Sequence, residues 1–172
     1  YGPWDETALK PSKMILALLA VGMPEHRKGA QHGGAFGHGK AGLLSASATR
    51  TVIAYSCFKD DETNRSGATR RLYGVTYWAQ HVVGKRRFVG FGHFGVHRDD
   101  LTLPYEDAEA DEVAASLGFE IRDPAAPEGL GTSFLIVEPL VEPEDLRHAV
   151  ERNWWPALLE YEDFVIDITV RY

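Results

Sequence analysis

A glycine-rich segment carries the clearest chemical signal in the sequence. Residues 32–42 read HGGAFGHGKAG and contain five glycines and one lysine. Glycine lets backbone N–H groups approach phosphate oxygens closely, because no Cβ intervenes and positive φ values are open to it. Residues 34–40 match the P-loop pattern G-x-x-x-x-G-K, and residues 37–42 match the dinucleotide fingerprint G-x-G-x-x-G. The segment also matches a third pattern, the glycine-rich lid found in another kind of ATPase.

The residues before the glycines argue against the first two patterns. A P-loop and a dinucleotide fingerprint both follow a buried strand that anchors the glycine turn. Residues 22–33, GMPEHRKGAQHG, are too polar to form such a strand. The P-loop pattern also continues into Ala41, where a hydroxyl group should reach magnesium. A P-loop nucleotide-binding protein is therefore a less favoured alternative.

The lid pattern agrees with its surroundings. The glycines follow a polar loop and precede residues 40–48, KAGLLSASA, which have the composition of a buried helix. Unpaired N–H groups and the peptide dipoles make a helix N-terminus favourable for phosphate. Lys40 stands at the predicted start of this helix, where a cation is disfavoured unless an anion offsets it. The triphosphate of a nucleotide is the obvious anion.

Taken in order, these motifs resemble the GHKL ATPases, which include DNA gyrase, the heat-shock chaperone ATPase, sensor histidine kinases and MutL. In the chaperone branch, a lid of the form G-x-F-G-x-G leads into a helix and then a strand ending near V-x-x-x-S. Residues 34–56 follow that course, including Phe36 and Ser56. The last nucleotide motif of the family, a Gly-Thr that enters an apolar strand, matches Gly131 and Thr132. The resemblance covers residues 14–161.

The resemblance implies an ATP-binding domain of a larger cytoplasmic protein, with ATP and Mg²⁺ as cofactors and other domains or proteins as partners. Hydrolysis of ATP is expected, and the alternative is a non-hydrolysing nucleotide-sensing or protein-interaction module. The implied ATP-binding residues are Gly33, Gly34, Phe36, Gly37, His38, Gly39, Lys40 and Thr132. Lys40 replaces an aromatic residue that is usual in the chaperones.

Two motifs of the family are not seen in this sequence. One is a helix that bears the general-base carboxylate and a magnesium-binding Asn, and the other is an Asp-x-Gly-x-Gly turn that holds adenine. Both would lie before Tyr1, so we expect the chain to be a piece of a longer protein. The predicted domains are a partial ATP-binding domain over residues 1–161 and the start of a following strand or domain over residues 162–172.

Composition limits the other classes of function. The chain has 172 residues, 44% hydrophobic content and a net charge of −7, which argues against a general nucleic-acid-binding surface. The basic residues 84–87, GKRR, are the best candidate for a local basic cluster of this kind, but their turn chemistry favours a charged hairpin turn. The longest apolar run, residues 14–21, is far shorter than the roughly 20 residues of a membrane span. Cys57 has no second cysteine with which to pair.

The pattern of elements predicts an α+β fold, a two-layer sandwich, and the resemblance implies that it is of the Bergerat type. Strands that begin at Thr51, Leu72, Arg86 and Thr132 are expected to share one mixed, mainly antiparallel sheet, with the helices on one face. Helices are predicted from Ser12, over residues 40–48, over residues 105–118 and within residues 142–161, with a short strand at residues 119–123. Residues 25–39 are expected to be mobile without nucleotide.

Other chemically suggestive residues have plainer interpretations. His93 and His97 lie four residues apart on a predicted strand, which separates them by about 13 Å and is too far for one metal ion. The acidic run at residues 105–112 is interpreted as a solvated helix face. Trp154 and Trp155 are expected to pack against the sheet. Cys57 is expected to be a buried small hydrophobe.

Overall fold

The computed structural model describes Leu18 and residues 38–59, 67–155 and 168–169. These residues form helices and mainly antiparallel sheets, as predicted for an α+β fold. The helices are α1 (His38–Ser45), α2 (Asp107–Ser116) and α3 (Pro143–Trp154), with a 3₁₀ turn at Pro127–Gly129. The strands are β1 (Thr51–Cys57), β2 (Arg70–Tyr77), β3 (His81–Val83), β4 (Arg86–Phe88), β5 (Phe91–Phe94), β6 (Val96–Arg98), β7 (Leu101–Leu103), β8 (Tyr105–Glu106) and β9 (Gly131–Ile136).

One antiparallel sheet forms the centre of the structure. Its strands lie in the order β5-β2-β1-β9, and β8 pairs with the other end of β2. The prediction that the Thr51 and Thr132 strands share a sheet is therefore confirmed, and they are direct neighbours. Strands β3 and β4 form a separate hairpin, as do β6 and β7.

The prediction that the Arg86 strand belongs to the central sheet is wrong. Among the described strands, β4 pairs only with β3, across a turn at Gly84 whose φ is +61°. Beyond β4 the chain reverses at Gly90, with φ of +88°, where a Cβ atom would lie 2.0 Å from the carbonyl oxygen of Trp78. Only glycine can take this conformation at this close approach. The reversal separates β4 from β5, and it is β5 that joins the sheet beside β2.

The central sheet is covered on both faces, not on one as predicted. Val52 and Ala54 of β1 pack with Leu44 of α1 and with Leu18, and we call this side the α1 face. The alternate residues of β1, including Tyr55, pack against α2, and we call that side the α2 face. Residues 52–55 are all buried, since both faces of this strand lie in the core.

The ends of the predicted helices and of one strand differ from expectation. Helix α1 begins at His38, two residues before the predicted start, and ends at Ser45. Helix α2 is followed by Gly118 with φ of +82°, as a C-terminal glycine predicts. Residues 119–123 form no strand, although Phe119 still packs against Tyr55 at a ring separation of 5.9 Å. Leu18, the one described residue of the predicted N-terminal helix, is helical and buried.

Residues 139–172 cluster as a second compact unit, separate from residues 1–138. Its helix α3 begins with Pro143 and has Glu144 in its first turn, and Arg147 forms ion pairs with Glu144 and Glu151. Trp154 is 52% exposed and Trp155 is also exposed, so the predicted packing of these side chains is not observed. The predicted strand or domain at residues 162–172 falls mostly outside the described residues.

No helix within the described ranges is long and apolar enough to cross a membrane. The longest of them, α3, has 12 residues and rises about 18 Å at 1.5 Å per residue, well short of a hydrocarbon core of about 30 Å. The single cysteine, Cys57, is buried and unpaired, and burial raises the pKa of its thiol. A buried, protonated thiol agrees with the packing role predicted for it.

Candidate functional site

Two hydroxyl side chains that the motifs single out meet on the central sheet. Strands β1 and β9 are neighbours, and their register places Ser56 directly opposite Thr132. The oxygens Oγ of Ser56 and Oγ1 of Thr132 are 2.7 Å apart, within hydrogen-bond distance, at an exposed position. Residues 76 positions apart in the chain are thus brought into contact. The contact joins β1, which follows the glycine-rich segment and α1, to the Gly131–Thr132 pair at the start of β9.

The glycine of the Gly-Thr pair is required by the backbone. Gly131 has φ of +145°, a conformation that other residues rarely adopt. A Cβ atom there would also lie 3.3 Å from Nη1 of Arg122, whose Nη2 donates a hydrogen bond to Ser133 Oγ at 2.9 Å. Gly131 thereby admits the arginine and lets the chain enter β9 with the Thr132 side chain next to Ser56.

The Ser56–Thr132 pair lies on the α1 face of the sheet. Because side chains alternate along a strand, Ser56 projects to the same side as Val52 and Ala54, which pack with Leu44 of α1. Phe134 follows Thr132 by two residues on that face and is exposed. The helix that follows the glycine-rich segment and the Gly-Thr strand therefore serve one face of one sheet.

Sequence reasoning missed Arg71, which stands beside this pair. Arg71 is opposite Ser56 in the register of β1 and β2, so its side chain projects from the α1 face. Its Nε donates a hydrogen bond to Glu106 Oε1 at 2.9 Å, and its guanidinium carbon lies 5.2 Å from the ring centroid of Phe58. Arg70 and Arg71 are adjacent in sequence, and only the strand register reveals which of them faces the hydroxyl pair.

The predicted lid residues are described only in part. Gly33, Gly34, Phe36 and Gly37 lie outside the described residues, as do residues 25–37 of the segment expected to be mobile. His38, Gly39 and Lys40 form the first three positions of α1, where the backbone N–H groups have no partner within the helix. The side chains of these three residues are not described. Helix α1 is therefore longer at its N-terminus than the sequence predicts.

A buried serine fixes the turn between α1 and β1. Ser47 is 2% exposed, and its Oγ donates to the carbonyl oxygen of Val137 and accepts from the N–H of Thr51 at 3.0 Å. The N–H of Ala48 donates to the carbonyl of Glu138 at 2.9 Å. The turn after α1 is thus tied to the chain just beyond β9. Sequence reasoning missed Ser47, because a serine among small residues gives no signal of burial.

A polar network on the α2 face joins α2 to the sheet. Asp111 accepts hydrogen bonds from Tyr55 Oη at 2.6 Å and from Arg70 Nε at 2.8 Å. Burial and the bond to Asp111 raise the pKa of Tyr55 to about 12. Burial disfavours ionisation of Asp107, but the N–H groups of Thr69 and Arg70 outweigh it and lower the pKa of this carboxyl. Part of the acidic run predicted as a solvated face is therefore structural.

Metal ligation has no support among the described side chains. No group of three or more His, Cys, Asp or Glu residues in that part of the chain could hold a metal ion. His93 lies on β5 and His97 on β6, and Nδ1 of His93 is 3.0 Å from the hydroxyl of Tyr73. The buried polar atoms that are described all have hydrogen-bond partners.

Comparison with known proteins adds no family to these observations. No protein-family model matches the chain, and no curated protein or solved structure is significantly similar to it. The interpretation of the site therefore depends on its own motifs and geometry. These are the paired hydroxyls of Ser56 and Thr132, the conformation of Gly131 and the position of α1 on the same sheet face.

Proposed function

We propose that this chain is the lid-to-Gly-Thr part of a GHKL-type ATP-binding domain with a Bergerat-type fold. The observation that carries the proposal is the contact between Ser56 and Thr132 on the α1 face of the sheet. The two residues belong to separate motifs of the resemblance. A pair of unrelated matches has no reason to fall on adjacent strands, in register and with both hydroxyls on one face.

The α1 face has the mixed character that a nucleotide base requires. Ser56 and Thr132 supply two hydroxyl groups, each able to donate and accept. Phe134 offers exposed apolar surface two residues further along β9. Sites for small molecules combine an apolar lining with a few polar groups that fix orientation. We assign Thr132 to the adenine end of the bound nucleotide on this basis and on the resemblance.

The glycine-rich segment supplies the phosphate end of the proposed site. Residues 38–40 are the first turn of α1, so their N–H groups are free of helical partners and the helix dipole favours an anion there. With Gly33, Gly34, Phe36 and Gly37 before them in the sequence, they would supply the backbone N–H groups of a lid that approaches the phosphate oxygens. Lys40 adds a positive charge against the triphosphate.

Hydrolysis in this proposal is positional and electrostatic. Phosphoryl transfer to water needs the γ-phosphate held in line with its attacker and its charge offset by nearby donors and cations. The lid amides and Lys40 would hold the phosphates, and Thr132 would fix the base. ATP would bring Mg²⁺ with it. We assign the general base and the magnesium ligand to none of the described residues, since the resemblance places them in preceding motifs.

Titration calorimetry of ATP in the full-length protein tests this proposal. Thr132→Val keeps the side-chain shape but removes the hydroxyl, and we expect affinity to fall by about 2- to 13-fold, as the loss of one hydrogen bond implies. Thr102→Val is the matched control, since Thr102 lies on β7 in a separate hairpin. The proposal fails if the parent does not bind ATP or if the two variants bind it equally well.

Phosphate release in the same samples separates the two forms of the proposal. A parent protein that binds ATP and releases phosphate is an ATPase. Binding without release would instead favour the non-hydrolysing nucleotide-sensing or protein-interaction module. Both results keep ATP on the α1 face, so this measurement decides the chemistry and the calorimetry decides the site.

A further inference from the structure

Positive charge is concentrated in one part of this acidic chain. Residues 67–98 contain six Lys and Arg residues and neither Asp nor Glu, whereas the chain as a whole has a net charge of −7. Two of these cations, Arg70 and Arg71, are held by Asp111 and Glu106. Three of the others, Lys85, Arg86 and Arg87, follow one another at the β3–β4 turn. The hairpin thus carries a charge opposite to that of the molecule.

The three cations are displayed to solvent. Every residue from 78 to 89 is exposed, including Lys85, Arg86 and Arg87. None of the three forms an ion pair with a described carboxylate. Gly84 permits the tight turn through its φ of +61°, and Lys85 follows it at the tip. Side chains alternate along β4, so Arg86 projects from the same face as His81 and Phe88, and Arg87 projects from the other face. Such a tip attracts anions and has little to do with the stability of the central sheet.

Aromatic side chains lie beside the charged tip. The rings of His81 and Phe88 stack across the hairpin, with centroids 5.4 Å apart and planes 15° apart. Trp78, at the base of the hairpin, is 49% exposed. Trp78 and His81 line an open cleft of about 310 Å³ whose walls are mostly apolar. The cleft is an open surface formed by the consecutive residues 78–81, so a flat ring would lie against it and would not be enclosed.

We propose that this hairpin surface, comprising Trp78, His81, Phe88, Lys85 and Arg86, binds single-stranded nucleic acid. The two cations contact the phosphates, and an unstacked base stacks on the open surface formed by Trp78 and His81. Proteins that bind single strands combine cations along the backbone with aromatic rings on which bases stack. An acidic peptide would satisfy the cations but would leave the aromatic cleft unused. A duplex would keep its bases stacked and out of the cleft.

This inference is independent of the proposed ATP site. The hairpin lies outside the central sheet and includes none of the residues assigned to the nucleotide. The sequence signal for this surface is the local excess of Lys and Arg over residues 67–98, which the negative net charge of the whole chain does not show. The surface would also account for exposed Val82 and Val83, which contribute nothing to the described core.

Fluorescence anisotropy with a labelled oligothymidylate tests the charged part. We expect Lys85→Gln/Arg86→Gln to lower the salt dependence, d log K/d log[salt], by about 1.4, since each phosphate contact on a single strand contributes about 0.7. Lys59→Gln/Arg152→Gln removes the same charge from exposed positions outside residues 67–98 and should leave the slope unchanged. Equal effects from the two double variants would overturn the proposal, because they would indicate attraction by overall charge alone.

The aromatic part is tested with tryptophan variants in the same assay. Trp78→Ala should weaken binding by about 5- to 150-fold, the range for loss of one base-stacking contact. Trp154→Ala is the matched control, because Trp154 has a similar exposure of 52% but lies on α3. Circular dichroism verifies that each variant is folded. If Trp78→Ala does not fold, Phe88→Ala tests the aromatic surface instead, because it removes the ring that stacks on His81.

The choice of competitor decides the class of ligand. Unlabelled single strand should displace the probe, while a duplex of equal phosphate content and a poly-glutamate peptide of equal charge should displace it at least several-fold less well. Equal displacement by poly-glutamate would assign the hairpin to an acidic protein partner and overturn the proposal. Failure of the parent chain to bind the probe would do the same.

Discussion

Ser47 is a single residue on which the position of α1 depends. Its buried hydroxyl satisfies both the Val137 carbonyl and the Thr51 N–H. Ser47→Ala leaves these groups with fewer partners in a buried place, and we expect the free energy of unfolding to fall by about 1–3 kcal/mol. Denaturant unfolding measures the difference. Ser45→Ala, at an exposed position on α1, should cost much less, and an equal loss in both variants would refute the assigned role.

Ionisation of Tyr55 makes the free energy of unfolding depend on pH above pH 10. Its pKa is raised from 10.0 to about 12 by burial and by the hydrogen bond to Asp111, so the folded protein favours the neutral phenol. Below pH 10 the phenol is neutral in both states and its stabilisation is complete. Between pH 10 and pH 12 the unfolded state loses the proton first, so stability falls as pH rises.

Comparison with Tyr55→Phe isolates this effect. The phenylalanine variant should be less stable than the parent below pH 10, and the difference should shrink as pH rises from 10 to 12. Denaturant unfolding at a series of pH values gives both curves. A Tyr55→Phe difference that is constant across this range would contradict the account.

Helix α1 gives a prediction at the scale of an element. Because α1 begins at His38, Lys40 lies in its first turn, where the helix dipole disfavours a cation. If the nucleotide triphosphate offsets this charge, Lys40→Ala in the full-length protein should weaken ATP binding by roughly 10- to 150-fold, the cost of one charge-assisted contact. Lys28→Ala, in the preceding loop, should not. Calorimetry showing parental affinity in both variants would remove Lys40 from the site.

Local sequence predicts the elements better than it predicts their partners. The β-branched run at β1, the acidic α2, the Gly84 turn and the strand entered from Gly131 were all predictable from composition and turn residues. The partner of β4 was not, because the reversal at Gly90 depends on a close approach to Trp78 that no local pattern reveals. The sequence did contain a signal for helices on both faces. The unbroken apolar run of β1 is typical of a strand that is buried on both sides.

The candidate site shows the same division between motif and geometry. The Gly-Thr motif and the post-lid serine could be predicted one by one from sequence. Their contact could not, since it requires β1 and β9 to be neighbours and Ser56 to be opposite Thr132 in the register. Arg71 and Ser47 carried no signal for the same reason. Burial and facing direction follow from pairings between distant segments.

For the molecule as a whole, we propose two ligands on two surfaces of one unit. We propose that ATP binds on the α1 face of the central sheet and that nucleic acid binds on the β3–β4 hairpin, which pairs with no described strand of that sheet. Both surfaces lie within residues 1–138. ATP is itself a polyanion with an aromatic base, so it could in principle bind to either surface. A titration with ATP therefore distinguishes the two assignments.

Backbone amide NMR of the protein during titration with ATP and Mg²⁺ is therefore the most direct test of the central claim. We predict saturable shifts at Ser56, Gly131 and Thr132 and in residues 38–40, with a single affinity. Residues of the β3–β4 hairpin and of α2 should shift little. The assignment of the nucleotide to the α1 face would be contradicted if saturating ATP did not shift the amide signals of Ser56 and Thr132. It would also be contradicted if ATP shifted only the amide signals of the hairpin.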